Sequence, residues 1–298
     1  MDKFPPLERW FDIRRSVSNL HQYTRYDLCI KRNLSNGDFN EMSDELALLV
    51  ARLRLRPNEY EQWLRYWGNS TPIPPKWKRR FRDRFWRSFV SDEATEKASG
   101  EIQFDEIALQ GYLGELMLYL VQTQYYECRI RAVPKKPKEY SKDSGIDCLE
   151  LCGIVNAPES LHYIAWESKG LTSDTLGSYP SKIYSQHLHQ TPKSFAEMVE
   201  QLADIYEHED DDAMLSFVDE MIDDFYSRPP SRRKCFGGCV SYGGQRFARS
   251  DAFSAFWIRF RDDLAKDARC RQVRLCAVGD LSEIVRQVRD KIWTKLLP

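Results

Sequence analysis

The sequence predicts an α/β protein: a mixed sheet flanked by helices, with a mainly helical N-terminal domain ahead of it. Three observations carry this. Residues 1 to about 98 are patterned as helices. A strong helix over about 104–123 is followed by three strand-like segments before residue 170. Helical stretches then alternate with two later strand-like runs, the order expected of crossover connections in a layered fold. The polar stretch SDEATEKASG over 91–100 is the candidate linker, so the expected division is 1–98 and 99–298.

Taken in order, Ser43 is placed to cap a helix through Asp44 and Glu45, with Leu46, Leu49, Val50 and Leu53 as its apolar stripe. Pro57 restarts the chain as a second helix carrying Tyr60, Trp63, Leu64 and Trp67, and STPIPP over 70–75 breaks it. The next segment, KWKRRFRDRFWR from residue 76, spaces Trp77, Phe81, Phe85 and Phe89 four apart, so one helical face packs and the arginines take the wet side. Beyond the helix at 104–123, strands are expected at 126–132, 146–151 and 162–169, with Asn156-Ala-Pro158 as a turn. Helices at 191–207 and 212–226 flank an acidic connector, strands follow near 239–243 and 272–278, and a helix over 281–297 closes the chain.

Composition excludes several classes. With 42% hydrophobic and 30% charged residues, the 298-residue chain is ordinary folded protein, not a disordered tail. A net charge of −1 advertises no global attraction to polyanions. No apolar run is long enough for a transmembrane helix, and MDKFPPLERWFDIRR has no apolar signal core. Eight cysteines without a CxxC pair read as free thiols, so the cytoplasm is the expected compartment.

The chemistry concentrates in WESK at 166–169. Alternation along a strand puts Glu167 and Lys169 on one face, where a carboxylate and an ammonium on an otherwise apolar segment are costly without a task. Asp147 opens the preceding strand and offers a second carboxylate. Glu115 lies inside an apolar helix with Gly111 one turn before it and Gly114 beside it, glycines that suggest close approach of backbone to something. Asp147, Glu167 and Glu115 form a candidate site for Mg2+, with Mn2+ able to substitute, because hard cations take carboxylates, waters and phosphate oxygens. Lys169 would orient the attacking water or offset charge in a phosphodiester transition state.

These residues resemble the PD-(D/E)XK nuclease superfamily, the fold of many restriction endonucleases, through Gly114-Glu115, Gly145-Ile-Asp147 and Trp166-Glu-Ser-Lys169. The resemblance implies a restriction-endonuclease-like sheet, with a helix supplying Glu115 and successive strands supplying Asp147 and the Glu167/Lys169 pair. Gly145-Ile146 stands where that family often has Pro before the Asp. The runs GYLGELMLYL, SKDSGIDCLEL and YIAWESKG, within about 104–170, are also similar to HamA, the family of nuclease subunits in Hachiman anti-phage defence. That similarity implies DNA as substrate and a helicase-type protein partner. An RNA or repair nuclease with the same site, or a non-catalytic interaction subunit, are the other readings.

Other features weigh against blander accounts. Lys76, Lys78, Arg79, Arg80, Arg82, Arg84 and Arg87 are candidate contacts to a nucleic-acid backbone, against a helix whose arginines are solvated or paired with acidic neighbours. Lys135, Lys136 and Lys138 are candidates of the same kind. The pairs Cys148/Cys152 and Cys235/Cys239 suit a core better than a zinc site. His187 and His189 read as surface residues, Gln186 as a supporting polar group near the site, and the acidic run 207–212 as a solvated connector.

Overall fold

Alternating residues along three of the strands sort into separate apolar clusters, and this parity explains the architecture. A computed structural model describes residues 4–18, 23–69, 71–89, 106–125, 129–134, 147–154, 157–171, 176–188, 192–208, 211–226, 234–244, 246–259, 273–279 and 282–296. After a short 3-10 turn at Leu7–Arg9 come β1 (Phe11–Ser18), β2 (Tyr23–Ile30), α1 (Asn36–Arg54), α2 (Pro57–Trp67) and α3 (Pro75–Phe89). Then follow α4 (Glu106–Tyr125), β3 (Arg129–Pro134), β4 (Cys148–Ile154) and β5 (Ala157–Gly170). The chain continues through α5 (Tyr179–Leu188), α6 (Pro192–His208), α7 (Asp212–Tyr226), β6 (Lys234–Tyr242), α8 (Ser254–Arg259), β7 (Val273–Gly279) and α9 (Ser282–Leu296).

The strands form one seven-stranded mixed sheet in the order β1-β2-β7-β6-β5-β4-β3. The β3-β4-β5 meander is antiparallel, β5, β6, β7 and β2 run parallel, and β1 closes the far edge antiparallel to β2. On the first face, Cys148, Cys152, Ile164, Trp166, Cys235, Cys239 and Val278 join an apolar cluster with α1, α2, α3, α4 and α9. On the second, Leu149, Leu151, Leu161, Tyr163 and Ala165 pack under α6 and α7. Leu171, Phe236, Val240 and Tyr242 pack under α5 and α8 on that same side. The protein is thus mixed α/β with helices on both sheet faces, as its patterning predicts. No described helix is long and apolar enough to cross a membrane.

One local expectation is corrected. Ser43 caps nothing: it is buried inside α1, donating to the Phe39 carbonyl at 2.9 Å and to Gln287 Oε1 at 3.0 Å. The cap is Ser35, whose hydroxyl accepts from Asp38 N while Asp38 accepts from Ser35 N, a reciprocal pair that satisfies two exposed amide donors. The first 98 residues are mainly helical, as their patterning predicts, with two strands ahead of the helices. Through β2 this stretch joins the same sheet as β4–β7, and through α1–α3 it shares an apolar cluster with α4 and α9.

That hairpin is held by a buried ion network. Asp27, fully buried, accepts from Arg25 Nε at 2.6 Å and from Arg14 Nη2 at 2.8 Å. Both guanidiniums also donate to the Ala248 carbonyl, tying the segment after β6 to β1 and β2. Removing one partner of such a pair strands a charge in the interior. Asp27→Ala should therefore lower unfolding stability by about 3–5 kcal/mol, read as a shifted urea midpoint at unchanged slope. A variant within 1 kcal/mol or so of wild type would show that water reaches Arg25 instead.

Candidate active site

The two carboxylates at the centre of the sequence reading lie on neighbouring segments of the sheet. Cys148, the first residue of β4, pairs with Trp166 of β5, and Asp147 immediately precedes Cys148 as Glu167 follows Trp166. The Asp147 amide donates to the Trp166 carbonyl at 2.8 Å, and its carboxylate accepts from the Ser168 amide at 2.7 Å. Asp147 is 2% exposed and Glu167 1%. Lys169 follows on the same side, its Nζ 3.9 Å from Glu167 Oε2 and its side chain 22% exposed. That distance is an ion pair without a hydrogen bond.

Strand parity positions these groups. Glu167 and Lys169 continue the row Tyr163, Ala165 on the second face, where the cluster under α6 and α7 ends at Ala165 and the cluster under α5 and α8 begins at Leu171. The acidic pair and its lysine fill the interval between two apolar patches. Lys169 is the member that reaches solvent. On β6 the residue level with Glu167 is Gly238, and that level with Lys169 is Val240.

The intervening residue, Ser168, points to the first face, where α4 lies. A Cβ on Gly114 would sit 2.5 Å from Ser241 Oγ and 3.4 Å from Ser168 Oγ. A Cβ on Gly170 would sit 2.7 Å from the Gly111 backbone nitrogen and 2.8 Å from the Gln110 carbonyl. The close approach expected around the helix glycines is therefore to β5 and β6 themselves. Gly111 is not sterically required, since a Cβ there meets nothing within 4 Å.

Glu115 projects from α4, half-buried, in the layer across the sheet from Glu167. Its charge is felt by the Tyr112 hydroxyl, which accepts from Arg54 Nε at 2.6 Å, and by the Cys148 thiol. Among the described residues no three His, Cys, Asp or Glu side chains gather closely enough to cage an ion by themselves. Asp147 and Glu167 are nevertheless a fitting donor set for Mg2+. They are buried and oxygen-only, and this ion commonly uses one or two carboxylates plus water and phosphate oxygens.

A buried polar network behind the site was not read from the sequence. Glu150, fully buried on the first face, accepts from Trp166 Nε1 at 3.0 Å and Gln122 Nε2 at 3.4 Å. Cys148 Sγ donates to Gln122 Oε1 at 2.8 Å, and Cys152 Sγ to Glu150 Oε1 at 3.4 Å. Burial, then the Glu150 charge, pushes the Cys148 thiol well above its usual range. All four cysteines of the two spaced pairs are buried free thiols, as a core reading expects. Trp166 in turn covers Gly237, where a Cβ would fall inside the indole ring's contact distance. A Glu between two cysteines in an apolar strand was the available signal; its partners come from other elements.

The remaining candidates lie elsewhere. The cations of α3 belong to the helical layer on the first face, and Arg80 and Arg84 reach the buried Glu59 at 3.5 and 3.4 Å. Gln186, on α5 against β5 and β6, buries its Oε1 without a hydrogen-bond partner among the described residues. Asp211, in the acidic run, accepts from Met214 N at 3.0 Å and caps α7. Lys135, Lys136, Lys138, His189 and the His187 side chain fall outside the described residues. No protein-family model and no curated protein matches this chain.

Two measurements follow from this geometry. Gly170→Ala forces a methyl onto the α4 backbone and should cost roughly 1–3 kcal/mol, the usual range for overpacking, in chemical denaturation. Gly111→Ala, by contrast, should be neutral or slightly stabilising. Because the fold holds the Cys148 proton, the unfolded chain releases more protons above the thiol's ordinary value of 9.0. Stability should thus fall as pH rises through that value, and fall less steeply in Cys148→Ala. Identical slopes in the two proteins would remove Cys148 as the cause.

Proposed function

We propose that this chain is a divalent-metal-dependent nuclease that hydrolyses DNA phosphodiester bonds. The observation that carries the reading is the burial of Asp147 and Glu167, with Asp147 hydrogen-bonded to the Ser168 amide next to Glu167 and Lys169 beside Glu167 in the gap between two apolar patches. Burying two carboxylates at neighbouring positions is unfavourable unless cations meet them, and a divalent ion supplies more charge than one lysine. The element order α4, β3-β4-β5 meander, helical crossover, parallel β6 supports a restriction-endonuclease-like core.

Asp147 and Glu167 would hold Mg2+, while Glu115, the third residue of the proposed set, stands on α4 across the sheet from Glu167. The bound ion supplies Lewis acidity toward a phosphoryl oxygen and a lowered pKa for water. The protein's own groups do the rest. The Ser168 amide fixes one Asp147 oxygen. Lys169, the more exposed member, offers its ammonium to charge developing on the phosphate. The apolar patches on either side limit water around the reacting centre. A role in anti-phage defence beside a helicase-type partner, in the cytoplasm, is the biological setting that the sequence resemblance supports.

Incubation of plasmid, linear duplex, single-stranded DNA and RNA with Mg2+ or Mn2+ tests the reading. Cleavage should require the metal, stop with EDTA, and fall about a hundredfold or more in Glu167→Ala and Lys169→Ala variants shown to be folded. Cleavage confined to RNA would move the substrate class. If folded wild type cleaves nothing and Mn2+ gives the same null calorimetric isotherm with wild type and Asp147→Ala, the acidic pair is structural and the chain is an interaction subunit.

A further inference from the structure

We infer that the outer surface of α3 is a second nucleic-acid-binding surface, separate from the acidic site and on the opposite side of the sheet. The helix carries seven Lys and Arg against a single Asp within 15 residues, in a chain whose net charge is −1. Its apolar side is fully committed. Phe81 and Phe85 are buried with their rings 5.1 Å from Trp63, and Trp77 stacks on Phe81 at 5.6 Å. The cations therefore cannot serve packing on that side, and Lys76, Arg79 and Arg80 stand exposed.

The one buried acid beneath them organises the surface without covering it. Glu59, 2% exposed, reaches both Arg80 and Arg84, yet their side chains keep 50% and 39% exposure. Two guanidiniums one turn apart are thereby held with part of each donor fork outward, an arrangement suited to phosphate oxygens. Length also fits. A 15-residue helix spans about 22 Å, which is the axial rise of about six phosphates on one strand of a duplex.

Placement makes this surface distinct from the proposed cleavage site. Phe81 and Phe85 belong to the cluster with Cys148 and Trp166, whereas Glu167 continues the row of Tyr163 and Ala165 on the other side. The α3 layer and the acidic pair thus lie on opposite sides of the sheet. The α3 surface therefore holds a different stretch of nucleic acid, through backbone contacts that carry no sequence preference.

The test is fluorescence anisotropy of a labelled 20-base-pair duplex titrated with the full-length protein in EDTA, at several salt concentrations. Binding is read without cleavage, so the result stands whether or not the nuclease reading holds. Lys76→Glu/Arg79→Glu, both exposed and away from Glu59, should weaken binding tenfold or more and flatten the salt slope by about two. The neutral Lys76→Gln/Arg79→Gln pair should flatten it similarly with a smaller affinity loss. Arg249→Gln, at an exposed cation outside α3, should keep wild-type affinity and slope. Unchanged affinity and slope in the folded α3 variants would overturn the proposal. So would poly-L-glutamate displacing the duplex at equal charge concentration, which would mark the surface as a dock for acidic protein.

Discussion

Between α4 and the end of β5 there is no room for a side chain. The Gly170 α-carbon faces the backbone of Gln110 and Gly111, and Gly114 lies against Ser241 and Ser168. This contact fixes the rotation of β5. With Ser168 turned toward the helix, alternation leaves Glu167 and Lys169 no choice of side. A slip of one residue would drive a glutamate and a lysine into the helix interface and expose the small serine instead. The bond from the Ser168 amide to Asp147 opposes that slip from the neighbouring strand. One packing constraint and one hydrogen bond thus set the geometry on which the chemistry depends.

The protein buries charge in three ways, and they differ in what satisfies it. Asp27 meets two guanidiniums, which are themselves occupied by main-chain carbonyls. Glu150 accepts from neutral donors, an indole and an amide. Asp147 accepts from the Ser168 amide, and Glu167 has the Lys169 ammonium at ion-pair distance. The first two are structural solutions that lock elements together. The third is looser and lies where Lys169 opens it to solvent, as a site that exchanges ligands requires.

How much could be read beforehand follows from the range of the interactions. The parity of Glu167 and Lys169, and the strand opened by Asp147, are local patterns and were legible. So were α2, α6, α7, α9 and the aromatic stripe of α3. The strands β1 and β2 were not, because Arg14, Arg25 and Asp27 break the apolar alternation and become tolerable only through each other and the Ala248 carbonyl. Ser43 looked like a cap because acidic residues follow it, yet Ser35 with Asp38 offers the same chemistry one helix-turn pair earlier. Glu150 was invisible as a polar core residue since Trp166 and Gln122 arrive from other elements.

The N-terminal hairpin has a further consequence. β2 is the strand that pairs with β7, so β1 and β2 seal what would otherwise be an open parallel edge in the middle of the fold. A chain shortened from its beginning would present the amides and carbonyls of β7 as a template for any passing strand. The first thirty or so residues therefore act as a selvedge, and evolution can trade them for another covering strand but cannot simply discard them.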